Sequence, residues 1–260
     1  TTERGAGVVM VAPSRKARDL VMLEAAAPSA VAAGSLCGVR RLPAFALALL
    51  AGACGGTPTA PAADAAMLVA GAVSAMEAVA SAHFEMTRSG APITVEGLVF
   101  DRAVGRYAAP AAAEAVLSMH AEDVAVQLGT ISMDEHTWIT DPITGRWHEL
   151  RLGSGFNPAV LFDPSVGWVA LLNDLRGLTV EGQRDGTHHL TATIPAARVE
   201  AITAGLAAAQ EVALDMWLDA SSLHIVRLEF STDGAEGRSD WVIVMSDFGA
   251  PVQIDPPAAG

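Results

Sequence analysis

The sequence predicts an α+β fold, an antiparallel sheet with helices segregated on one face. Three observations predict it. From His83 onward most segments alternate apolar and polar residues at period two, the signature of half-buried strands. Short turn sequences, such as the Asp-Pro and Thr-Gly pairs of "DPITGR" at 141–146, separate them. Helical spacing is confined to a few places and does not alternate with the strands, which separates α+β from α/β. An antiparallel sheet with one face covered is the natural packing of such a set.

In chain order, residues 64–83 carry Leu68, Val69, Ala72, Val73, Met76, Val79 and Ala80 at helical spacing, with Asp64 placed as an N-cap. Strand patterns follow. "HFEMTRSG" carries Phe84 and Met86, and "ITVEGLVFD" sets Ile93, Val95, Gly97 and Val99 on one face. "GRYAAP" is a short piece. "AVLSMH" precedes "DVAVQLGTISMD", which aligns Val124, Val126 and Leu128. "HTWITD" and "GRWHEL" form a hairpin about the turn at 141–146.

The pattern then changes. "FNPAVLFDPSVGWVALLNDL" places Val160, Leu161, Trp168, Leu171, Leu172 and Leu175 at helical spacing. Asn157-Pro158 and Asp163-Pro164 each read as a cap followed by proline at the first helical position, giving two short helices with a kink between them. "LTVEGQ" and "HHLTATIP" resume the strands, a helix fits 195–208, and "EVALDMWLDA", "LHIVRLEFS" and "DWVIVMSDFG" close the chain as a meander.

The segment "RRLPAFALALLAGACGG", 40–56, has a different character. Two arginines lead into an apolar run that stops at Gly52, Ala53 and Cys54. The run is shorter than the roughly 20 residues that span a bilayer. A charged start, an apolar middle and small residues before a processing point make a secretory signal. Ending on cysteine, it resembles the lipobox of bacterial lipoproteins, in which the thiol receives a diacylglycerol and becomes the new N-terminus. Ala51 stands where leucine is usual, with Leu50 one step further out. An incidental Cys54 after an ordinary secretory signal, or a buried apolar helix, are the other readings. "GGTPTAPAA", 55–63, reads as a flexible tether. Residues 1–39 lie upstream of where a signal should begin, so they are expected to be disordered or to precede a translation start near Val39.

Composition narrows the function classes. Beyond Cys54 about 200 residues remain, enough for one domain, 64–260. Cys37 and Cys54 are the only cysteines, so this body holds no disulfide or thiolate metal site. The net charge is −13 and no lysine follows Lys16, which argues against nucleic acid and against a polybasic membrane patch. The seven histidines, His83, His120, His136, His148, His188, His189 and His224, form no helical zinc pair. "LGSGFN" places Ser154 outside any nucleophile-elbow spacing. Asp134/Glu135 and Asp215/Asp219 fit turns and solvent faces. The expectation is no enzyme, no metal and no cofactor. Arg106 and Arg146 follow glycines at turns, where solvation is the commoner role and an anionic head group the alternative.

Four stretches in order, "VEGLVFDRAVGRYAA" at 95–109, "TWITDPITGRW" at 137–147, "NPAVLFDPSVGWVALL" at 157–172 and "VALDMWLDASSLHIVRLEF" at 212–230, together resemble the LppX/LprA/LprF/LprG family of cell-envelope lipoproteins. The resemblance implies a LolA-like fold, a strongly curved antiparallel sheet (a half-barrel) wrapped over helices and enclosing an apolar cavity for acyl chains. Alternating strands with few aromatics, and Met86, Met119, Met133, Met216 and Met245 as adaptable fillers, suit such a lining, although the same side chains would also fill an ordinary core. Under the family reading the candidate lining is Val95, Val99, Met119, Val126, Leu128, Leu161, Trp168, Leu171, Leu172, Leu214, Met216, Val226 and Leu228, with Cys54 as the lipidation site. Trp138, Trp147, Trp168, Trp217 and Trp241 could line a mouth or pack the core; on a curved sheet most are expected to pack, with Trp168 the candidate for ligand contact.

The function this implies is a lipoprotein on the outer face of the cytoplasmic membrane that binds acyl chains of lipids or glycolipids and carries them within the envelope, with an envelope transporter as partner. Burying a methylene is worth roughly 0.8 kcal/mol, so exposing a 16-carbon chain to water costs on the order of 10 kcal/mol; a carrier must shield it. Two or three acyl chains on one cysteine anchor stably where one does not. The alternatives are an envelope scaffold or chaperone that binds proteins and carries no lipid, and an esterase, for which no serine is nominated.

Overall fold

The computed structural model describes residues 62–151 and 155–258. The upstream segment, the signal with Cys54 and nearly all of the 55–63 stretch lie outside them. The described residues belong to one compact unit, Gly55–Gly260.

Helix α1 (Ala62–Glu77) opens it. Strands β1 (Ser81–Gly90), β2 (Thr94–Val95), β3 (Leu98–Ala108), β4 (Ala112–Ala121), β5 (Val124–Met133), β6 (His136–Thr140) and β7 (Trp147–Glu149) follow. A 3-10 helix (Pro158–Phe162) and α2 (Trp168–Asp174) come next. Then come β8 (Arg176–Arg184), β9 (Thr187–Ile194), α3 (Ala196–Ile202), β10 (Val212–Asp219), β11 (Ile225–Gly234) and β12 (Gly237–Ser246). All strands join one antiparallel sheet in the order β7-β6-β5-β4-β3-β1-β12-β11-β10-β9-β8, with β2 paired to β3. The pairing of β1 with β12 knits the start of the domain to its end, eight residues in register from His83↔Ser246 to Gly90↔Ser239. β7 and β8 are the edges, and the sheet does not close on itself.

The α+β class and the strand succession match the sequence expectation. Three local differences stand out. The 93–101 stretch is not one strand. Glu96 and Gly97 both take positive φ, 51° and 84°, and make a two-residue hairpin turn between Val95 and Leu98. "GRYAAP" is not separate but is the end of β3. Asp163-Pro164 does not start a helix. The Asp163 carboxylate accepts from the Ser165 amide and hydroxyl, closing a turn, and α2 begins only after Gly167. Asn157 does cap as expected, its side chain accepting from the Ala159 amide at 2.9 Å.

The helix ends also shift. α1 begins two residues before Asp64, which lies in its first turn, and stops at Glu77 because β1 claims the chain from Ser81. α3 ends at Ile202, six residues before the expected end. The Thr203 hydroxyl donates to the Val199 carbonyl, and Gly205, at φ 83°, donates its amide to Glu200. That is how a helix stops at a left-handed glycine.

Candidate functional site

One face of the sheet is apolar across nine strands. Registered pairs run Val180–Leu190–Met216–Leu228–Ile243 from β8 to β12. The same row continues as Met86–Ala103–Leu117–Leu128 from β1 to β5. A neighbouring row, Ala192–Leu214–Phe230–Trp241, ends at Arg88. The Arg88 side chain is largely covered and used up locally. Its guanidinium donates to the carbonyls of Phe100, Gly90 and Ala91 and lies 3.5 Å from Asp101.

Much of this face is low relief. Ala82, Ala103, Ala113, Ala115 and Ala192 are buried on it. A Cβ at Gly105 would collide with the Phe84 ring and the Glu114 carbonyl, so the glycine makes room for that ring. The helices supply what the sheet lacks. The 3-10 helix lies against β3, β4 and β5, while α1 contacts α2 and β8. Phe162 stacks on Tyr107 at 4.0 Å, meets Trp168 edge-on at 6.4 Å and lies 6.1 Å from Phe84. Leu161, Leu171 and Leu172 are fully buried beside them.

Of the candidate lining residues, Met119, Leu128, Leu161, Trp168, Leu171, Leu172, Leu214, Met216 and Leu228 come together in one buried cluster, and Val126 packs half-buried against it. Three others do not. Val95 is exposed at the β2–β3 hairpin. Val99 pairs with His120 one position before the buried Phe100–Met119 pair, which turns it to the opposite face. Val226 is the extra residue of a bulge between Trp217↔Arg227 and Leu218↔Ile225, so Ile225 enters the core in its place. The reading also missed Leu190, Ile243 and Phe162. The first two show alternation on their own strands, but only the register reveals that they extend one row.

Two hollows are open clefts, not enclosed apolar spaces. One, about 410 Å³, lies between the β5–β6 turn, the 3-10 helix and α3, lined by Val160, Val166, Ala197 and Ala201 together with Asp134, Glu135 and Glu200. The other, about 430 Å³, includes Gln210, Asp233, Arg238 and Trp241 on β10–β12 and the approach to them.

The outer face carries paired polar groups beside a few valines such as Val104, Val116 and Val244. His189 Nε2 lies 2.8 Å from Asp215 and its ring stacks on Trp217, over which Arg227 also sits. His120 pairs with Asp101 at 2.7 Å, and Arg102 with Glu85 at 2.7 Å. Glu149, by hydrogen bond and charge, raises the His136 imidazole above its ordinary pKa. Burial holds that of His224 below it, against Asp219 and the Ala75 carbonyl. The hydroxyls and amides of Ser221 and Ser222 hold the Asp219 carboxyl well below the usual carboxylate range. Among the described residues no group of three or more histidine, cysteine or acidic side chains is placed to hold a metal ion. No described helix is long and apolar enough to cross a membrane.

Comparison with known proteins agrees with this architecture. The profile described as LppX_LprAFG lipoprotein matches residues 64–254. The crystal structure of LprF from Mycobacterium bovis superposes with a TM-score of 0.59 at 18% identity, covering 76% of this chain and 99% of that one. That of the Mycobacterium tuberculosis lipoprotein LppX gives 0.52 at 19% identity, covering 75% and 100%. At these identities the likeness is one of fold. No curated protein sequence matches.

Proposed function

Because the chain belongs to the LppX_LprAFG lipoprotein family, we propose that it binds acyl chains of lipids or glycolipids against the helix-covered face of the sheet and carries them within the cell envelope. In this reading the sheet bends as a half-barrel round the cover, and the ligand takes the space between them. The observation that carries it is the nine-strand row without a polar side chain, under a cover whose pieces, apart from the 16-residue α1, are short. The 3-10 helix has five residues and α2 and α3 seven each, all too short to be stable without tertiary contacts. Lifting them costs mainly the burial of Leu161, Phe162, Trp168, Leu171, Leu172, Val199 and Ile202. An acyl chain that takes their place returns roughly 0.8 kcal/mol per methylene. Met86, Met119, Met216 and Met245, all buried on this face, can change rotamer to fit.

Anchoring belongs to the same proposal. Cys54 receives the diacylglycerol, residues 55–61 tether the domain, and the protein sits on the outer face of the cytoplasmic membrane with an envelope transporter as partner. The domain has no catalytic role in this scheme.

Native mass spectrometry of the full chain extracted from its own membrane tests the first part. A lipid adduct of fixed stoichiometry is expected, and folded protein that carries none removes the reading. For the second part, Cys54→Ala should move the protein from the membrane to the soluble fraction. The packed aromatic cluster favours a second reading, an envelope scaffold with a permanently filled interior, which predicts full activity in lipid-free protein.

A further inference from the structure

Among the described residues, Trp168 Nε1 is the one buried side-chain polar atom without a hydrogen-bond partner. Trp168 is 1% exposed, as is Trp241, yet the Trp241 N–H donates to the Thr232 hydroxyl at 2.9 Å. An indole N–H can only donate. Native interiors seldom leave such a group dry and unpaired, because its desolvation goes uncompensated. No described residue accepts from the Trp168 N–H. Trp168 opens α2 and meets Phe162 edge-on, so it stands where the two pieces of the cover join.

We infer that the Trp168 N–H is a binding group for an acceptor oxygen of the ligand, and that this oxygen is the ester carbonyl of an acyl lipid. The inference rests on the acyl-binding reading above. The chemistry follows from the surroundings. The apolar neighbours are Phe162, Leu161, Leu171 and Leu172, and the Arg198 guanidinium beside this segment is already taken by Asp174 and the Ser165 and Val166 carbonyls, so a buried carboxylate or phosphate would be unmatched. A neutral carbonyl satisfied by one donor fits, and in a saturated ester it is the strong acceptor at the junction of the apolar chains. Trp168 would then set how deep the cargo sits, and would distinguish an ester from plain hydrocarbon.

The test uses the full chain with two probes of matched length, palmityl palmitate and n-dotriacontane, each presented in detergent micelles and counted per mole of protein after gel filtration. Wild-type protein should retain the ester about 3- to 10-fold better than the alkane, the range of one net hydrogen bond. Trp168→Phe should erase that preference while still binding both. Benzothienylalanine at position 168, which keeps the shape of indole and lacks the N–H, should do the same without lowering the melting temperature of the lipid-free protein. Equal retention of the two probes by wild type, or an ester preference that survives both variants, overturns the inference and leaves acyl binding standing. So does a drop in lipid-free melting temperature with the isostere, since the N–H would then serve a partner within the fold. Failure of wild type to retain either probe removes the acyl-binding reading and this inference with it.

Discussion

The two faces of the sheet are built from the same strands by opposite rules. On the covered face, Met216, Leu228, Ile243 and Met86 follow one another without a charge, and position is set by shape. On the outer face, the row one residue over runs His189, Trp217, Arg227, Val244 and Glu85, and position is set by pairing. The covered face can exchange one apolar neighbour for another at little cost. The outer face keeps its register whatever lies beneath the cover.

Truncating the covered face should give the largest effect. Trp241 lies 6.1 Å from both Phe100 and Phe230 and is fully buried. Trp241→Ala should cost about 3–5 kcal/mol in urea unfolding. A loss under 1 kcal/mol would mean that the face is already loosely packed. Gly105→Val comes next. The new side chain must displace the Phe84 ring and push back the Glu114 carbonyl of β4, and overpacking of this kind costs about 1–3 kcal/mol or more.

A pH series sharpens the contrast between the buried edge of the fold and its outer hairpins. His224, which stacks on Phe248 at 4.2 Å, has a lowered pKa in the folded protein. The unfolded chain therefore binds more protons, and stability falls as pH drops below the ordinary value of 6.5, levelling once the folded form is protonated too. His136 has a raised pKa, so its contribution is present below 6.5 and is lost as pH rises through the folded value. His224→Gln should flatten the acid-side slope, and His136→Gln the one above 6.5. If the two variants exchange these effects, the environments have been misassigned. The smallest change belongs to the outer face: Glu85→Gln, which breaks the pair with Arg102, should stay within about 1 kcal/mol and shrink further in high salt.

The sequence made some of this legible and hid the rest for identifiable reasons. Alternation in "VALDMWLDA" placed Leu214 and Met216 on the buried side because β10 has no irregularity until its last pairs. Asp141, whose carboxylate accepts from the Ile143 and Thr144 amides, was readable as a turn because that chemistry is local. Val226 and Val99 were misplaced because a bulge in β11 and the turn before β3 reset the parity, and neither is visible without the partner strand. The union of nine strands into one row is likewise a property of register. Phe162 escaped notice because a lone aromatic at the end of a short proline-flanked 3-10 helix carries no periodic signal. Its role comes from Tyr107, more than fifty positions earlier in the chain.

The unpaired edges at β7 and β8 have a mechanical consequence. A closed barrel has its girth dictated by strand number and stagger. Here no seam of hydrogen bonds ties the first strand of the order to the last. The ribbon can therefore splay or tighten by small changes of twist summed over many strands, with every ladder intact. A guest of larger girth would be met by elastic give spread over the whole sheet.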